Sequence, residues 1–380
     1  SEGDALLKAF ARILEREAPR PVLVARMLAD AFLVLFPYKG KEELVTYCEA
    51  YSRALNGFIV SREQNYQLEL RSGICCVEDS DASDINSLLD RANMALKTIK
   101  VKGAAQWKFY DHTMRDKLLR EKDLEIRMEK ALADGEFLVY IQPKYWVGTR
   151  ALAGGEALVR WKSPDQGFLS PGEFIPLFEK NRFIVKLDQF MFTSVCGLLR
   201  QWLDAGIEPR PLSVNVSRMQ FHTPDFVERY IRIKSQYAIP DGLLELEFTE
   251  SIFFDNVALL SSAVHELRRA GIKCSIDDFG AGYSSLNVLK ALPVSVLKLD
   301  GMFFRTAKDD EQAKIVIRNI MRMAGELKMA TVAEGVETHE QVAFLETTGC
   351  DIIQGYVFAR PMPAAEFTEL LAGEGGHAEH

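Results

Sequence analysis

From Gly135 onward the chain repeats one pattern, a short apolar run followed in most cases by a helical stretch. Eight such runs occur, at Phe137–Gln142, Leu152–Arg160, Leu212–Val216, Leu244–Thr249, Ile272–Asp277, Val294–Leu299, Ala330–Glu334 and Ile352–Gln354. Runs this short are strand-sized, and apolar residues at helical spacing mark the stretches between them. Pro176–Ala205 carries Leu187, Phe190, Met191 and Ser194 on one stripe; Thr223–Tyr237 and Val257–Ala270 follow; Ala313–Lys328 sets Ile317, Ile320, Met321 and Ala324 on one face. Eight strands alternating with helices predict a (β/α)8 TIM-like barrel, whose chemistry sits at the C-terminal ends of its strands.

That rule can be tested on the polar residues. Each run ends in one or carries one near its C-terminal end: Gln142, Glu156 with Arg160, Asn215, Glu247, Asp277, Lys298, Glu334 and Gln354. Period-two alternation puts Glu156, Leu158 and Arg160 on one face of their run. It does the same for Ser213, Asn215 and Ser217, and for Glu245, Glu247 and Thr249. A single inward acid or amide is an ordinary satisfied core group. Eight in register at one barrel mouth point to a binding or active site.

The run at Ile272–Asp277 is the most informative, because it ends in adjacent carboxylates, Asp277 and Asp278, followed by Phe279, Gly280, Ala281, Gly282, Tyr283, Ser284 and Ser285. On an extended strand the two side chains point to opposite faces. Both can serve one site only if the chain bends just after them, which Gly280 and Gly282 permit. Adjacent acids are costly unless a cation neutralises them, so this is a candidate divalent-metal site.

Carboxylates and an amide, without clustered His or Cys, select a hard cation: Mg²⁺ or Mn²⁺, or Ca²⁺. Glu156, Asn215, Glu247 and Asp277 supply enough oxygens for one ion, and Asp278 with Glu334 for a second. Two ions about 3.5–4 Å apart would clamp a phosphodiester and acidify a bridging water. Lys298 among these acids reads either as a charge-balancing lysine or as the group that orients or deprotonates the attacking water. Arg160 can bind a phosphate oxygen bidentately.

The bulk numbers narrow the partners. With 380 residues, two domains are expected. A formal net charge of -8 argues against a general nucleic-acid binder but leaves room for a small anionic ligand. Cys48, Cys75, Cys76, Cys196, Cys274 and Cys350 show no C-x-x-C spacing and read as reduced cysteines, which fits a cytoplasmic protein. No apolar run is long enough to span a bilayer.

Residues 1–112 read as a smaller α/β unit. Helices are expected at Ala5–Glu17, Glu42–Leu55 and Ile85–Lys97, and strands at VLVAR, AFLVLF, 66–77 and Trp107–Tyr110. A charged helix over Thr113–Ala133 connects it to the barrel over 134–380. The front unit resembles the second part of a GGDEF (diguanylate cyclase) domain: Gly3-Asp4-Ala5-Leu6-Leu7 is similar to its GD-x-LL helix, and Arg26 to Phe32 occupies the place of its R-x-GGDEF hairpin. The loop reads LADAF, with Leu28 and Ala29 for both glycines and Ala31 at the catalytic acid position. Pro19 and Val22 stand where the inhibition motif R-x-x-D would place Arg and Asp. The resemblance therefore implies a degenerate, incomplete GGDEF-like domain without cyclase activity but with a regulatory role. That family's first strand and helix are missing from the sequence, so an upstream segment, a sensor or membrane segment included, is expected.

Residues 134–380 resemble an EAL domain, a cyclic-di-GMP phosphodiesterase. The matching segments include Gln142-Pro-Lys, Glu156-Ala-Leu-Val-Arg-Trp161, Val214-Asn-Val-Ser217, Glu247-Phe-Thr-Glu250, Asp277 to Ser285, Lys298-Leu-Asp300, Ala333-Glu-Gly-Val-Glu337 and Gln354-Gly-Tyr356. The resemblance implies opening of cyclic di-GMP to linear pGpG with Mg²⁺ or Mn²⁺. It carries metal binding to Glu156, Asn215, Glu247, Asp277 and Asp278, and places Lys298 beside the catalytic water with Glu334 and Gln354. Glu250 is similar to the acid that braces the loop after Asp278, and Glu337 lies near the same site. Gln142, Leu158 and Arg160, with Gln354, take positions that contact the ligand. A homodimer is implied through the loop after Asp278 and its neighbouring helix. Ala281 replaces the usual Thr, Arg182 a common Gly, Tyr145-Trp146 the usual Val-Asp, and Gly301 a common Arg. The competing reading is a receptor that binds cyclic di-GMP without turnover; the retained ligands favour the enzyme.

Overall fold

A computed structural model describes residues 2–16, 20–60, 68–77, 84–99, 106–250, 252, 257–280, 293–306 and 310–375. The chain divides into two units, Ser1–Lys122 and Asp123–His380.

In the first unit, helix α1 (Glu2–Arg16) buries Phe10 and Leu14 against Tyr51 and Leu55 of α2 (Lys41–Val60), with strands β1 (Leu23–Leu28) and β2 (Ala31–Leu35) between them in sequence. These strands form an antiparallel hairpin whose Val24, Phe32 and Val34 join the same core. Its tip takes Ala29 into a left-handed conformation, φ 51°, and the Arg26 guanidinium steadies it by donating to the Ala29 carbonyl at 2.9 and 2.6 Å. Strand β3 (Ser72–Ile74), helix α3 (Ile85–Lys97) and strand β4 (Trp107–Phe109) form a parallel βαβ unit. A Cβ on Gly73 would lie 2.0 Å from the Ala92 carbonyl oxygen, so glycine is what lets α3 approach the sheet. The strand expected over 66–77 is confined to Ser72–Ile74; residues 66 and 67 lie outside the described residues, as does Pro19. Helix α4 (His112–Ala133) follows, and the division between the two units falls inside it.

The second unit carries β5 (Phe137–Trp146), β6 (Leu152–Ser163), β7 (Gly167–Leu169), β8 (Leu212–Asn215), β9 (Leu244–Thr249), β10 (Lys273–Phe279), β11 (Val296–Leu299), β12 (Ala330–Ala333), β13 (Ile352–Gln354) and β14 (Met362–Pro363). Eight of them close a barrel in the order β5-β6-β8-β9-β10-β11-β12-β13, with β13 pairing back to β5. One strand departs from a regular (β/α)8 pattern: β5 runs antiparallel to both neighbours, while the other pairings are parallel. The cause is connection length. Only 147–151 join β5 to β6, and a parallel crossover needs a dozen or more residues. Arg150, φ 61°, turns the chain there.

The helix expected over Pro176–Ala205 is two helices, α5 (Pro171–Lys180) and α6 (Ile184–Asp204). Pro171, not Pro176, opens the first, where its missing N–H costs nothing. The break falls at Arg182, whose φ of 65° explains why glycine is common at that position. The remaining helices sit near their expected places, including α7 (Phe226–Gln236), α8 (Val257–Arg269) and Glu311–Glu326. Apolar residues Val214, Leu246, Phe248, Ile276 and Leu297 pack with Phe192, Val195, Tyr230, Leu267 and Ile317 in one core. That leaves the alternate positions of the same strands to meet inside the barrel.

Candidate active site

Lys298, on β11, is fully buried, and four carboxylates converge on it. Its Nζ lies 2.6 Å from Glu334 Oε1, 3.0 Å from Asp277 Oδ1 and 3.5 Å from Glu156 Oε2, and it bonds directly to Glu247 Oε2. The four acids come from β6, β9, β10 and the residue after β12. Burial pulls the lysine's pKa down, but Asp277, Glu156, Glu247 and Glu334 together outweigh it, so the ammonium is held well above the ordinary lysine value.

The acids differ in how they are held. Glu247 sits between two lysines, Lys298 on one oxygen and Lys144 at 2.9 Å on the other. Burial opposes its ionisation, yet Lys144 and Lys298 prevail and set it at about 2. Glu156 accepts from the Asn215 side-chain amide and from Gln354 Nε2, both at 2.6 Å. Gln354 Nε2 also donates to Gln142 Oε1 at 3.1 Å, so the amides of β5 and β13 lock one site carboxylate. Burial, reinforced by Glu247, raises Glu156; burial likewise raises Asp277 and Glu334 against the pull of Lys298.

Asp277 and Asp278 do face one site, but the bend begins earlier than the glycines. Asp278 itself is left-handed, φ 55°, and the β10–β11 register shifts between Ile276 and Phe279. Gly280 follows at φ 92°, and its N–H donates to Glu250 Oε2 at 3.1 Å, which is the bracing contact expected of Glu250. Ligand oxygens of Asp277, Asp278 and Glu334 lie within 4.8 Å of one another. Residues 281–292, including Ala281 and Gly282, lie outside the described residues, and so does the loop assigned to a dimer surface.

A cavity of about 690 Å³ opens beside this cluster, lined by Leu158, Arg160, Asn215, Glu250 and Asp278 among others. Arg160 stacks its guanidinium on Tyr140 with 5.5 Å to the ring centroid and donates to the Val159 carbonyl. Glu337 follows three residues after Glu334. Its side chain is exposed, and its backbone N–H donates to Gln341 Oε1 at 2.8 Å.

Three side chains were given no role by the sequence reading. Lys144 lies on β5 beyond the run expected to end at Gln142. Ser213 accepts from Lys144 Nζ at 2.7 Å. Asp188, on α6 and in the cavity wall, accepts from the Ser217 N–H at 3.0 Å and the Gln220 amide at 3.2 Å. Burial pushes its carboxyl up to about 7. Lys144 and Ser213 both carried a signal, since Lys144 shares a strand face with Gln142 and Ser213 with Asn215; Asp188, on a helix, carried none.

Comparison with known proteins places this geometry. Residues 126–361 match the model of the EAL domain, and residues 1–106 that of the diguanylate cyclase GGDEF domain. The chain belongs to the EAL family. It is 30% identical over 371 residues to the bifunctional diguanylate cyclase/cyclic di-GMP phosphodiesterase MucR of Pseudomonas aeruginosa, covering 97% of this chain and 54% of that protein. The cyclic di-GMP phosphodiesterase PdeR of Escherichia coli is 30% identical over 377 residues, covering 96% and 55%. A solved structure of the PaMucR phosphodiesterase in complex with c-di-GMP superposes with a TM-score of 0.61 at 35% identity, covering 64% of this chain and 99% of that one. The chain spans about half the length of the curated relatives it matches. EAL domains are metal-dependent, and the acidic cluster of this one offers the oxygen donors such an ion needs. No helix among the described residues is long and apolar enough to cross a membrane.

Proposed function

We propose that this chain hydrolyses cyclic di-GMP to linear pGpG at the mouth of the EAL barrel. The observation that carries this reading is the convergence of Glu156, Glu247, Asp277 and Glu334 on the buried Lys298 ammonium beside an open cavity. The donor set fits hard divalent ions: it is all oxygen, and Asp277, Asp278 and Glu334 approach within 4.8 Å of one another. Glu156, Asn215, Glu247 and Asp277 would hold one Mg²⁺ or Mn²⁺, and Asp278 with Glu334 a second. Such ions supply Lewis acidity toward a phosphodiester oxygen and acidify water.

The chain's own residues do the rest. Water attacks phosphorus, the bond to the 3′ oxygen breaks, and that oxygen leaves with a proton, which yields one 5′ phosphate and one free 3′ hydroxyl. Lys298, held among the four carboxylates, orients the attacking water and offsets developing negative charge. Gln354 and Asn215 keep Glu156 aimed inward. Arg160 and Leu158, in the cavity wall, take the ligand, with Arg160 pairing a phosphate oxygen. Gln142 reaches the same end of the barrel through Gln354. Glu250 steadies the turn after Asp278, and Glu337 acts near the same site.

The same reading assigns residues 1–112 to a GGDEF-like domain that regulates without making cyclic di-GMP, 113–133 to a connector helix and 134–380 to the phosphodiesterase. It places the protein in the cytoplasm as a homodimer through the EAL domain, which light scattering tests. The activity test is incubation with cyclic di-GMP and Mg²⁺ or Mn²⁺, with pGpG separated by ion exchange and Glu156→Ala as control. Formation of pGpG by the parent and not by the control supports the enzyme. Tight binding of cyclic di-GMP without pGpG replaces it with a receptor.

A further inference from the structure

Lys144 is a lysine buried to 6% exposure and does not line the cavity beside the acidic cluster. It lies on β5, two residues beyond Gln142 and on the same face. Its ammonium has two partners. One is Glu247 Oε1 at 2.9 Å, the other Ser213 Oγ at 2.7 Å. Ser213, 2% exposed, is tied in turn to the Gly155 carbonyl at 3.4 Å. The opposite oxygen of Glu247, Oε2, faces Lys298 and the acids around it.

We infer that Lys144 and Ser213 form a bracket that positions Glu247 as a metal ligand. The inference rests on the proposed metal-dependent reading of the site. A glutamate carboxylate, on three rotatable bonds, can present either oxygen, or both, to an ion. Lys144 on β5 occupies Oε1 and is itself anchored to Ser213 on β8, so Oε2 is the oxygen turned to the site. The bond to Ser213 fixes the ammonium from the other side of β6, so Glu247 cannot rotate without breaking a buried ion pair. Lys144 touches neither the cavity nor any other site acid at bonding distance among the described residues, so it acts through Glu247 and is a positioning residue.

A bland alternative is that Lys144 only balances charge in an acidic interior. The two roles predict opposite signs. Removing a positive charge close to a cation site tightens cation binding if charge balance is all that Lys144 supplies. Removing a bracket loosens it, and partners of metal ligands are typically worth about 10- to 100-fold in metal affinity.

The experiment titrates Mn²⁺ calorimetrically into the metal-stripped full chain, comparing the parent with Lys144→Met and Ser213→Ala. We expect Lys144→Met to bind Mn²⁺ about 10- to 100-fold more weakly, and Ser213→Ala to lose affinity in the same direction by less. In saturating Mn²⁺ the KM for cyclic di-GMP stays near the parent value, because the bracket does not touch the ligand. Mn²⁺ binding by Lys144→Met as tight as the parent's, or tighter, overturns the inference. If Lys144→Met does not fold, Ser213→Ala decides, and parent-like affinity in that variant overturns it equally. A parent that binds Mn²⁺ yet yields no pGpG removes the proposed activity, while the affinities still decide the bracket. A parent that binds no Mn²⁺ overturns both.

Discussion

The Lys298 ammonium lies 3.0 Å from a carboxylate oxygen of Asp277, on the neighbouring strand of the barrel. Three further acids share that ammonium, so Lys298→Met leaves Glu156, Glu247, Asp277 and Glu334 facing one another without it. Breaking a buried pair from one side costs about 3–5 kcal/mol. Denaturant unfolding of the metal-free variant is expected to show a loss of that order. Turnover of cyclic di-GMP is expected to fall at least ~100-fold, with KM moved much less. Initial rates at parent level would take Lys298 out of the reaction and leave it a structural ion pair.

Asp188 gives a pH signature. Burial is the main cause that lifts its carboxyl from 3.8 to about 7, against the hydrogen bonds from Ser217 and Gln220. The folded chain then binds this proton more tightly than the unfolded chain. Between those two values the native state carries more protons, so this group's contribution to stability falls as pH rises through the window. The whole effect is on the order of 4 kcal/mol. Asp188→Asn keeps an acceptor oxygen but cannot ionise. Urea denaturation from about pH 4 to about pH 8 should show the parent losing ground to Asp188→Asn as pH rises. Parallel profiles would mean that the Asp188 carboxyl ionises near its ordinary value.

The front unit should make no cyclic di-GMP from GTP and Mg²⁺. Its hairpin carries Ala31 where the family's catalytic acid stands, pairs Leu28 with Ala31 across the tip, and exposes Leu28 to 80%. With Leu28 and Ala29 in place of paired glycines and Ala31 in place of the acid, the tip keeps one exposed carboxylate, Asp30, and lacks the close backbone approach that glycines give to a phosphate. Chromatography of a long incubation with GTP, using the Glu156→Ala background so that no product is consumed, should stay at baseline. A cyclic di-GMP peak would mean that the hairpin works without its acid.

The barrel and most of its site were legible because period-two alternation is a local property. Glu156, Glu247, Asp277 and Lys298 each sit on a short apolar run, and each points inward as alternation requires. What hid was non-local. The reversal of β5 depends on the short link at 147–151, and with it came the longer strand that carries Lys144. Asp188 belongs to a helix, where no strand-end rule points at it. The break between α5 and α6 uses no proline or glycine, only Arg182 held left-handed, so helical periodicity ran straight through it.

Gly355 tests how closely the site depends on backbone packing. A Cβ there would lie 2.0 Å from the Val336 carbonyl oxygen and 2.4 Å from the Val336 nitrogen. Neither neighbour is the end of a flexible side chain. The Val336 N–H bonds to the Gln354 carbonyl at 3.3 Å and the Val357 N–H to the Val336 carbonyl at 3.1 Å, which closes the two segments on each other. Gly355→Ala must therefore part them. The residue that moves first is Gln354, whose amide holds Glu156 at 2.6 Å and Gln142 at 3.1 Å. Overpacking of this kind costs about 1–3 kcal/mol, and we expect stability and turnover to fall together in Gly355→Ala. Gln354→Ala separates the two effects: it removes the amide without forcing the backbone apart, so it should lose about ten-fold in turnover with a smaller change in unfolding midpoint. A Gly355→Ala protein with parent-like unfolding would show that the two backbone segments are not in contact in solution.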